Sequence, residues 1–314
     1  MELLFIVDPP DALKEYKDSS IAMMRAAQSR GHQVWCCEAR DLHLWEGRVI
    51  ALTTQLDVRP GKHWYSKNDI RTRLLADFGA IIMRKDPPVD QDYLTATHLL
   101  TLAEEMDGAR VFNRPESLRS WNEKLSIFRF PQFIASTLVS ASFDLVQGFL
   151  QEHGDIILKP LHAMGGQGVF RMRAEDSTNL ASLLELLTAD GQHAIMAQRY
   201  LPEITEGDKR ILLINGEPVP FALARVPAPG ELRGNLAAGG TGHAQPLTER
   251  DEEIARTVGR VAREAGLFLV GLDVIGEHLT EVNVTSPTGF VELTTQTGFD
   301  VADAFIATLE SALN

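Results

Sequence analysis

The first third of the chain alternates short apolar runs with segments in which apolar residues recur every three to four positions. Short runs bounded by Gly, Pro or charged residues predict strands, and the longer period predicts helices. The predicted strands are 3–7, 33–38, 80–83 and 111–113, and the predicted helices are 21–30 and about 93–106. This alternation is typical of an α/β layer with a largely parallel sheet. We therefore predict an N-terminal α/β domain over residues 1–121.

The pattern changes near residue 120 to that of a small α+β unit. Asn122-Glu123-Lys124 is predicted to open a helix, and a second helix is predicted at about 177–189. Strands are predicted at 156–160, 169–172 and 194–198. The first of these strands leads through a glycine-rich loop directly into the second, without a helix between them. We predict a central domain over residues 122–201.

The last third, residues 202–314, is predicted to form a C-terminal domain that begins with a hairpin. Strands at 209–214 and 219–225 flank Asn215-Gly216, a pair that strongly favours a two-residue turn. Two later helices are predicted, one from a capping box at Thr248 and Asp251 to Gly266 and one over about 301–312.

Composition narrows the class of protein. The chain has 314 residues, a formal net charge of -13 and an apolar fraction of 44%, which together indicate a globular protein of two or three domains. An acidic chain is a poor partner for nucleic acid, because that affinity comes from clustered Lys and Arg. The neighbours Cys36 and Cys37 are predicted to be buried thiols of a cytosolic protein. The first apolar run lacks a basic flank and is too short for a signal peptide or a membrane span.

A second predicted hairpin near the C-terminus carries the most informative side chains. Strands at 271–275 and 279–284 would place Glu281 and Asn283 on one face, with Asp273 beside them. Three oxygen ligands on rigid strands suit Mg²⁺, which is usually completed by substrate phosphates. The alternative is a sheet whose polar face meets solvent.

The glycine-rich loop Gly165-Gly166-Gln167-Gly168 offers backbone N–H groups that could hold phosphate oxygens. It is not a Walker A loop, because no Gly-Lys-Ser/Thr follows and no helix begins there. A plain hairpin connection is the alternative. Lys159 favours the phosphate site, since a lysine in a strongly apolar run needs a partner for its ammonium group.

Other charged residues are candidates whose position alone leaves both a functional and an exposed surface role open. Arg84 and Asp86 follow a predicted parallel strand, at the edge where open α/β sheets bind ligands. Others stand near predicted strand or helix ends: Lys124, Asp208, Arg210 and Arg225. The histidine spacing does not predict a zinc site, and the chain lacks the Gly-x-Ser-x-Gly pattern of serine hydrolases.

Residues 227–243 are rich in Gly, Ala and Pro and lack an apolar period, so we predict a mobile loop over 226–242. Arg233 and Asn235 lie among its glycines. The loop is either a disordered surface connection or a lid that excludes water and brings a guanidinium group to a transferred phosphoryl group.

Taken in order, these motifs resemble the ATP-grasp superfamily, and more closely the bacterial glutathione synthetases. The resemblance covers almost the whole chain. Its most specific stretches are Lys17-Asp18-Ser19-Ser20, Met83-Arg84-Lys85-Asp86-Pro87-Pro88, Gly207-Asp208-Lys209-Arg210, Arg233-Gly234-Asn235-Leu236-Ala237-Ala238-Gly239-Gly240 and Glu281-Val282-Asn283-Val284-Thr285-Ser286-Pro287. The resemblance implies an ATP-grasp fold of mixed α/β and α+β type, with an N-terminal parallel-sheet domain, a central lid domain and a C-terminal antiparallel-sheet domain.

The resemblance also implies an activity and a role for each residue. A cytoplasmic, homotetrameric ligase would join γ-glutamylcysteine to glycine through an acyl phosphate, with ATP and with Mg²⁺ or Mn²⁺. Metal ligands would be Asp273, Glu281 and Asn283. Nucleotide contacts would come from Lys124, Lys159, Gly165, Gly166, Gln167, Gly168, Gln198, Arg199, Tyr200, Leu201 and Asp208. The catalytic residues would be Arg210, Arg225 and Arg233, and the substrate contacts Ser19, Arg84, Asp86, Asn235 and Ser286.

Two other functions stay open at the level of sequence. One is a different ATP-grasp carboxylate-amine ligase with another acceptor, and the other is a nucleotide-binding regulator without turnover. The candidate lysines, arginines and metal ligands argue against the regulator, because phosphoryl transfer depends on such positioned charges.

Overall fold

The computed structural model describes residues 1–228, 234 and 239–314, and three β-sheets follow one another along the chain. The strands are β1 (Glu2–Ile6), β2 (Gln33–Cys37), β3 (Leu42–Trp45), β4 (Arg48–Val58), β5 (Tyr65–Leu74), β6 (Ala80–Met83), β7 (Val111–Phe112), β8 (Thr137–Ser140), β9 (Asp155–Pro160), β10 (Phe170–Arg173), β11 (Ile195–Arg199), β12 (Asp208–Ile214), β13 (Glu217–Val226), β14 (Thr241–Pro246), β15 (Leu269–Ile275) and β16 (His278–Asn283). The α-helices are α1 (Ser19–Ser29), α2 (Gln91–Asp107), α3 (Pro115–Ser120), α4 (Phe143–His153), α5 (Leu180–Thr188), α6 (Glu249–Glu264), α7 (Phe290–Thr297) and α8 (Val301–Leu313).

The N-terminal sheet has the order β3-β4-β2-β1-β6-β7, with β5 paired to β4. The four predicted strands are confirmed as β1, β2, β6 and β7, which pair in parallel. Strands β3, β4 and β5 were not predicted, and their antiparallel pairing makes the sheet mixed. They escaped the sequence pattern because polar residues are frequent along both β4 and β5, and much of β5 is exposed.

Helices α1 and α2 were predicted and are confirmed on the two faces of this sheet. The Asp18 carboxylate accepts a hydrogen bond from the backbone N–H of Ile21 at 2.9 Å, which caps the start of α1. Cys36 and Cys37 are buried free thiols, as expected from the apolar strand that contains them. The packing leaves the carboxyl ends of β1 and β6 facing the rest of the chain.

The central sheet is antiparallel with the order β10-β9-β11-β8, and α4 and α5 pack against it. The α-helix predicted to open at Asn122 is wrong, because only a short 3-10 helix forms at Leu125–Arg129. The Asn122 side chain accepts hydrogen bonds from the N–H groups of Lys124 and Leu125. These bonds form a local turn that competes with a regular helix. Strand β8 and helix α4 were missed by the sequence prediction.

The C-terminal sheet is antiparallel with the order β14-β13-β12-β15-β16. Both predicted hairpins are confirmed, as is the capping box of Thr248 and Asp251 at the start of α6. The predicted loop over 226–242 is too long at both ends, since β13 includes Val226 and β14 begins at Thr241. Most of that loop, including Arg233 and Asn235, lies outside the described residues.

In the part of the chain that the structure describes, no helix combines the length and apolar composition needed to cross a bilayer.

Candidate functional site

A cavity lies between the central and the C-terminal sheets and gathers most of the predicted site. Side chains from β9, β11, β12, β15 and β16 reach it, together with the glycine-rich loop between β9 and β10. Its lining residues are Lys124, Ile157, Lys159, Ala163, Gly165, Gly166, Gln167, Val169, Gln198, Arg199, Tyr200, Leu201, Ile204, Asp208, Gly234, Asp273, Ile275, Thr280 and Glu281. Residues predicted from widely separated motifs therefore meet in one place.

The glycine-rich loop adopts a backbone that side chains disfavour. Gly165, Gly166 and Gly168 have φ angles of 63°, 79° and 68°, in the left-handed region. A Cβ atom at position 168 would also lie 2.8 Å from Cγ of Pro160, whereas one at position 165 would meet nothing within 4 Å. The loop brings the backbone close to the cavity, as a phosphate-binding turn requires.

Lys159 extends from β9 into the cavity and is buried. Its ammonium donates to Oε1 of Gln198 at 3.0 Å, and Gln198 Nε2 donates to Thr137 Oγ1 at 3.0 Å. Burial lowers the pKa of Lys159, while the carboxylate of Glu281 acts in the opposite direction. Among the residues that the structure describes, the hydrogen-bond partner of this buried ammonium group is an amide oxygen and not a carboxylate, which suits the group to an anionic ligand.

Lys124 approaches the same cavity from the segment before the central sheet. Its Nζ lies 2.7 Å from Oε1 of Glu281 and donates to the Ala163 carbonyl at 2.8 Å. Lys124 therefore touches both the glycine-rich loop and strand β16. A solvated surface position, the alternative from sequence, is excluded because the side chain is buried.

The three predicted metal ligands lie on one face of the β15–β16 hairpin. Asp273 is directly opposite Glu281, and Asn283 is opposite Gly271, to whose carbonyl its amide nitrogen donates at 3.2 Å. Two carboxylates and one amide oxygen form a donor set that suits a hard divalent cation. Within the described residues no three His, Cys, Asp or Glu side chains are grouped to hold a metal, so the amide would have to be the third ligand.

Two buried arginines grip Asp273. Arg210 donates to both carboxylate oxygens, at 2.6 Å from Nε and 3.1 Å from Nη2, and Nη2 of Arg225 lies 3.0 Å from Oδ1. Burial would raise the pKa of Asp273, but the two guanidinium groups outweigh it and hold that pKa well below its usual range.

The pKa of Asp208 is shifted in the opposite direction. Its carboxylate pairs with Arg225 at 2.5 Å, yet burial, assisted by the nearby Asp273, raises the pKa of Asp208 to about 6. The charges of Asp208, Arg225, Asp273 and Arg210 therefore depend on one another. This network orients two guanidinium groups at the edge of the cavity.

The segment from Gln198 to Leu201 forms the far wall. The N–H of Arg199 donates to Ser136 and that of Tyr200 donates to Asp155, so these two amides are already used. The guanidinium of Arg171 stacks over the Tyr200 ring at 3.5 Å. These contacts fix the backbone of Arg199 and Tyr200 at the cavity wall.

A second cavity adjoins the first and shares Lys124, Ala163, Gly165 and Glu281 with it. Its outer part is formed by the segment before α1 and the segment before α7. The residues of the outer part include Lys14, Lys17, Asp18, Asp86, Ser286, Thr288 and Glu292. Ser286 donates from its hydroxyl to the Asp86 carboxylate, which joins the N-terminal and C-terminal units at the cavity wall.

Two predicted substrate residues stand behind that wall. Arg84 is buried and donates to Ser20 Oγ and the Pro287 carbonyl, each at 3.0 Å, and burial lowers its pKa. The Ser19 hydroxyl accepts from the N–H of Phe290 at 3.4 Å. Both side chains support the cavity in the described structure, and their contact with a substrate stays a prediction.

Three further residues of the second cavity were given no role in the site from the sequence, although Lys17 and Glu123 lie in motifs that were identified there. Glu123 lines the second cavity and bonds to the end of β16, a contact between positions far apart in the chain. Lys17 and Glu292 face the outer part of that cavity. Glu292 lies in the first turn of α7, and a prediction of that helix would have been the signal for it.

Two family profiles match the chain. "Prokaryotic glutathione synthetase, N-terminal domain" covers residues 1–119, and "Prokaryotic glutathione synthetase, ATP-grasp domain" covers residues 123–298. The chain is 53% identical over 313 residues to "Glutathione synthetase" of Ralstonia nicotianae, covering 99% of this chain and 96% of that protein. It is also 53% identical over 314 residues to "Glutathione synthetase" of Nitrosomonas europaea, covering 99% and 98%.

Solved structures with the same fold are more distant. D-cycloserine synthetase DcsG superposes with a TM-score of 0.67 at 15% identity, covering 100% of both chains. The ATP-grasp ligase PsnB, solved with a phosphomimetic variant of its minimal precursor, Mg and ADP, has a TM-score of 0.63 at 18% identity, covering 99% of this chain and 98% of that one. At these identities the likeness establishes the ATP-grasp fold.

Proposed function

The chain belongs to the prokaryotic glutathione synthetase family, and on that premise we propose how its residues perform the ATP-dependent joining of γ-glutamylcysteine to glycine. The products are glutathione, ADP and phosphate. One observation carries the assignment of the site. Two buried lysines and a glycine-rich loop face an acidic hairpin across a single cavity.

The chain divides into an N-terminal unit over 1–121, a central unit over 122–201 and a C-terminal unit over 202–314. This division is supported by three separate sheets, each confined to one of these ranges. ATP binds between the central and the C-terminal units. Residues 227–240, between β13 and β14, act as a lid over the reacting groups.

The triphosphate binds to Lys124, Lys159 and the loop of Gly165, Gly166, Gln167 and Gly168. Charge supports this assignment, since both ammonium groups line one cavity together with Gly165, Gly166 and Gln167 of the loop. Adenine lies against Gln198, Arg199, Tyr200 and Leu201. Because the amides of Arg199 and Tyr200 are bonded within the protein, Leu201 supplies the N–H that pairs with the base. Asp208 contacts the ribose or a nearby nucleotide group.

Asp273, Glu281 and Asn283 would hold Mg²⁺ or Mn²⁺. When bound, the divalent cation neutralises negative charge on the phosphates of ATP. The oxygen donor set of the hairpin supports this assignment. The Glu281 carboxylate is paired with Lys124, and the Asp273 carboxylate is paired with Arg210 and Arg225. If these carboxylates bind the metal, the side chains of Lys124, Arg210 and Arg225 must turn toward the phosphates.

The reaction needs positioned charge more than covalent help from the protein. The cysteinyl carboxylate of γ-glutamylcysteine attacks the γ-phosphorus of ATP, and the bond to the ADP oxygen breaks. The amine of glycine then attacks the acyl phosphate, loses a proton and expels phosphate. Arg210 and Arg225 stabilise the transferred phosphate and Arg233 of the lid joins them. Asp208 keeps the Arg225 guanidinium group oriented.

The second cavity takes γ-glutamylcysteine and glycine. Ser19, Arg84, Asp86 and Ser286 form or support its walls, and Asn235 contacts the bound substrate. The γ-glutamyl end of the peptide carries both an ammonium and a carboxylate group. The outer part of the second cavity carries both signs of charge. Asp18 and Glu292 can bind the ammonium group there, and Lys17 can bind the carboxylate.

The active protein is a cytoplasmic homotetramer. The N-terminal sheet supports self-association, because Trp45, Leu52 and Ile70 are 65%, 45% and 57% exposed on neighbouring strands. Light scattering coupled to size-exclusion chromatography gives the mass directly, and a monomeric mass would contradict this assignment.

Purified protein with ATP, Mg²⁺ and γ-glutamylcysteine should release ADP only when glycine is added. Release with another acid or amine pair, but not with these, would identify a different carboxylate-amine ligase. Nucleotide binding without release under any pair would identify a regulator. Both results would contradict the proposed reaction.

A further inference from the structure

Glu123 is bonded to the end of strand β16 by both its backbone and its side chain. Its carbonyl accepts from the N–H of Val282 at 2.9 Å. Its Oε1 accepts from the N–H of Val284 at 3.0 Å, from the N–H of Thr285 at 3.2 Å and from the Thr285 hydroxyl at 2.9 Å. One residue therefore satisfies four donors from a short stretch of chain.

The position of β16 in its sheet explains this arrangement. Among the described strands it lies at the edge of the sheet and pairs with β15 on one side. In an antiparallel strand alternate N–H groups point away from the neighbour, and at an unpaired edge they need other partners. Val282 and Val284 are the alternate residues here, and their side chains are fully buried. Glu123 supplies the acceptors that a further strand would otherwise provide.

The residues that alternate with these valines, Glu281 and Asn283, are two of the proposed metal ligands. Because side chains alternate along a strand, Glu281 and Asn283 point to the face opposite Val282. The residue after Glu123 is Lys124, whose ammonium contacts Glu281 and the Ala163 carbonyl. The bonds of Glu123 thus hold the backbone of the phosphate-binding lysine at a set distance from the metal-binding strand.

We propose that Glu123 is a positioning residue that sets the spacing between Lys124 and the metal ligands Glu281 and Asn283. The role rests on the proposed function of those three residues. It requires a hydrogen-bond acceptor at Oε1 and does not require a negative charge. A glutamine should therefore replace Glu123, whereas an alanine should not.

The test compares Glu123→Ala, Glu123→Gln and Thr285→Val, with Glu116→Ala on the exposed face of α3 as a control. Calorimetry measures ADP affinity with and without Mg²⁺, and circular dichroism with thermal melting reports folding. Steady-state assays measure kcat and KM for each substrate. Glu123→Ala should weaken ADP binding about 10- to 100-fold when Mg²⁺ is present, and only slightly when Mg²⁺ is absent. Its kcat should fall by a similar factor, with little change in KM for γ-glutamylcysteine.

Glu123→Gln should stay within about threefold of the wild type in these measurements, and Thr285→Val should lie between the two. A folded Glu123→Ala with unchanged Mg²⁺-dependent ADP affinity would overturn the proposal. Equal damage in the glutamine variant would overturn it too, because it would assign the role to charge. If the alanine variant does not fold, the same titration is made with Thr285→Val. An unchanged Mg²⁺-dependent ADP affinity in that variant would then overturn the proposal. A wild type without glycine-dependent ADP release would refute the proposed reaction, while the ADP titrations would still test Glu123.

Discussion

Lys124 and Glu281 form an ion pair, with 2.7 Å between Nζ and Oε1, that joins the segment before the central sheet to the edge strand of the C-terminal sheet. Only 8% and 22% of the two side chains is exposed. In such an environment each charge depends on the other, and removal of one leaves its partner poorly compensated. The pair thus couples the proposed phosphate site to the proposed metal site.

Glu281→Gln should leave the protein folded but lower turnover by about 100-fold, because the amide is a weaker metal ligand and lacks the carboxylate charge. The measurement is ADP release at increasing Mg²⁺ concentration, together with the thermal midpoint. Glu277→Gln, in the exposed turn of the same hairpin, is the matched control and should be neutral. A near-normal rate for the Glu281 variant would show that this residue does not hold the metal.

Replacing two glycines of the glycine-rich loop by alanine should change KM for ATP to different extents. Gly165 and Gly168 both have positive φ angles, so each substitution carries backbone strain of about 1 kcal/mol. At position 168 the new Cβ would also overlap Pro160. Gly168→Ala should therefore raise KM for ATP about 10-fold or more, and Gly165→Ala by about fivefold or less. The reverse order in ATP titrations would contradict the loop geometry.

The sequence predicted the C-terminal hairpin well because its signals are local. Alternating side chains and short polar turns are visible within a few residues, and the register then brings Asp273 opposite Glu281. The glycine loop was identified for the same reason. Strands β3, β4 and β5 carry weaker signals, since an open face tolerates Thr, Lys and Arg without a continuous apolar run.

Contacts between distant segments could not be derived from the sequence pattern. The shared grip of Arg210 and Arg225 on Asp273 depends on strand order, because β12 lies between β13 and β15. The bonds of Glu123 to Thr285 depend on how the chain returns to the edge of the sheet. Both arrangements follow from tertiary packing, which local propensity does not encode.

Asp208 should make stability depend on pH in the acidic range. Burial raises its pKa to about 6 in the folded protein, whereas the ordinary value is 3.8. Between these values the folded state holds a proton that the unfolded state has lost, so this group's contribution falls as pH rises through that window. As pH rises from 4.5 to 7, the free energy of unfolding measured with urea should fall by about 1–2 kcal/mol more in the wild type than in Asp208→Asn. Asp57→Asn, an exposed control, should retain the wild-type slope. Equal slopes for the wild type and Asp208→Asn would contradict the raised pKa.

Glu292 should distinguish γ-glutamyl peptides from analogues without the α-amino group. Oε2 of Glu292 is enclosed, has no hydrogen-bond partner among the described residues and belongs to the lining of the second cavity. A buried carboxylate oxygen in that situation is suited to an ammonium ligand. Glu292→Gln should raise KM for γ-glutamylcysteine about 10-fold, with little change in KM for ATP.

The des-amino analogue, glutarylcysteine, separates this contact from a general distortion of the cavity. It lacks the ammonium group, so its KM should be nearly the same in the wild type and in Glu292→Gln. Glu249→Gln, in the exposed first turn of α6, serves as the control for a lost surface charge. If Glu292→Gln weakened both peptides equally, the residue would act on cavity shape, and the ammonium group would have to bind elsewhere.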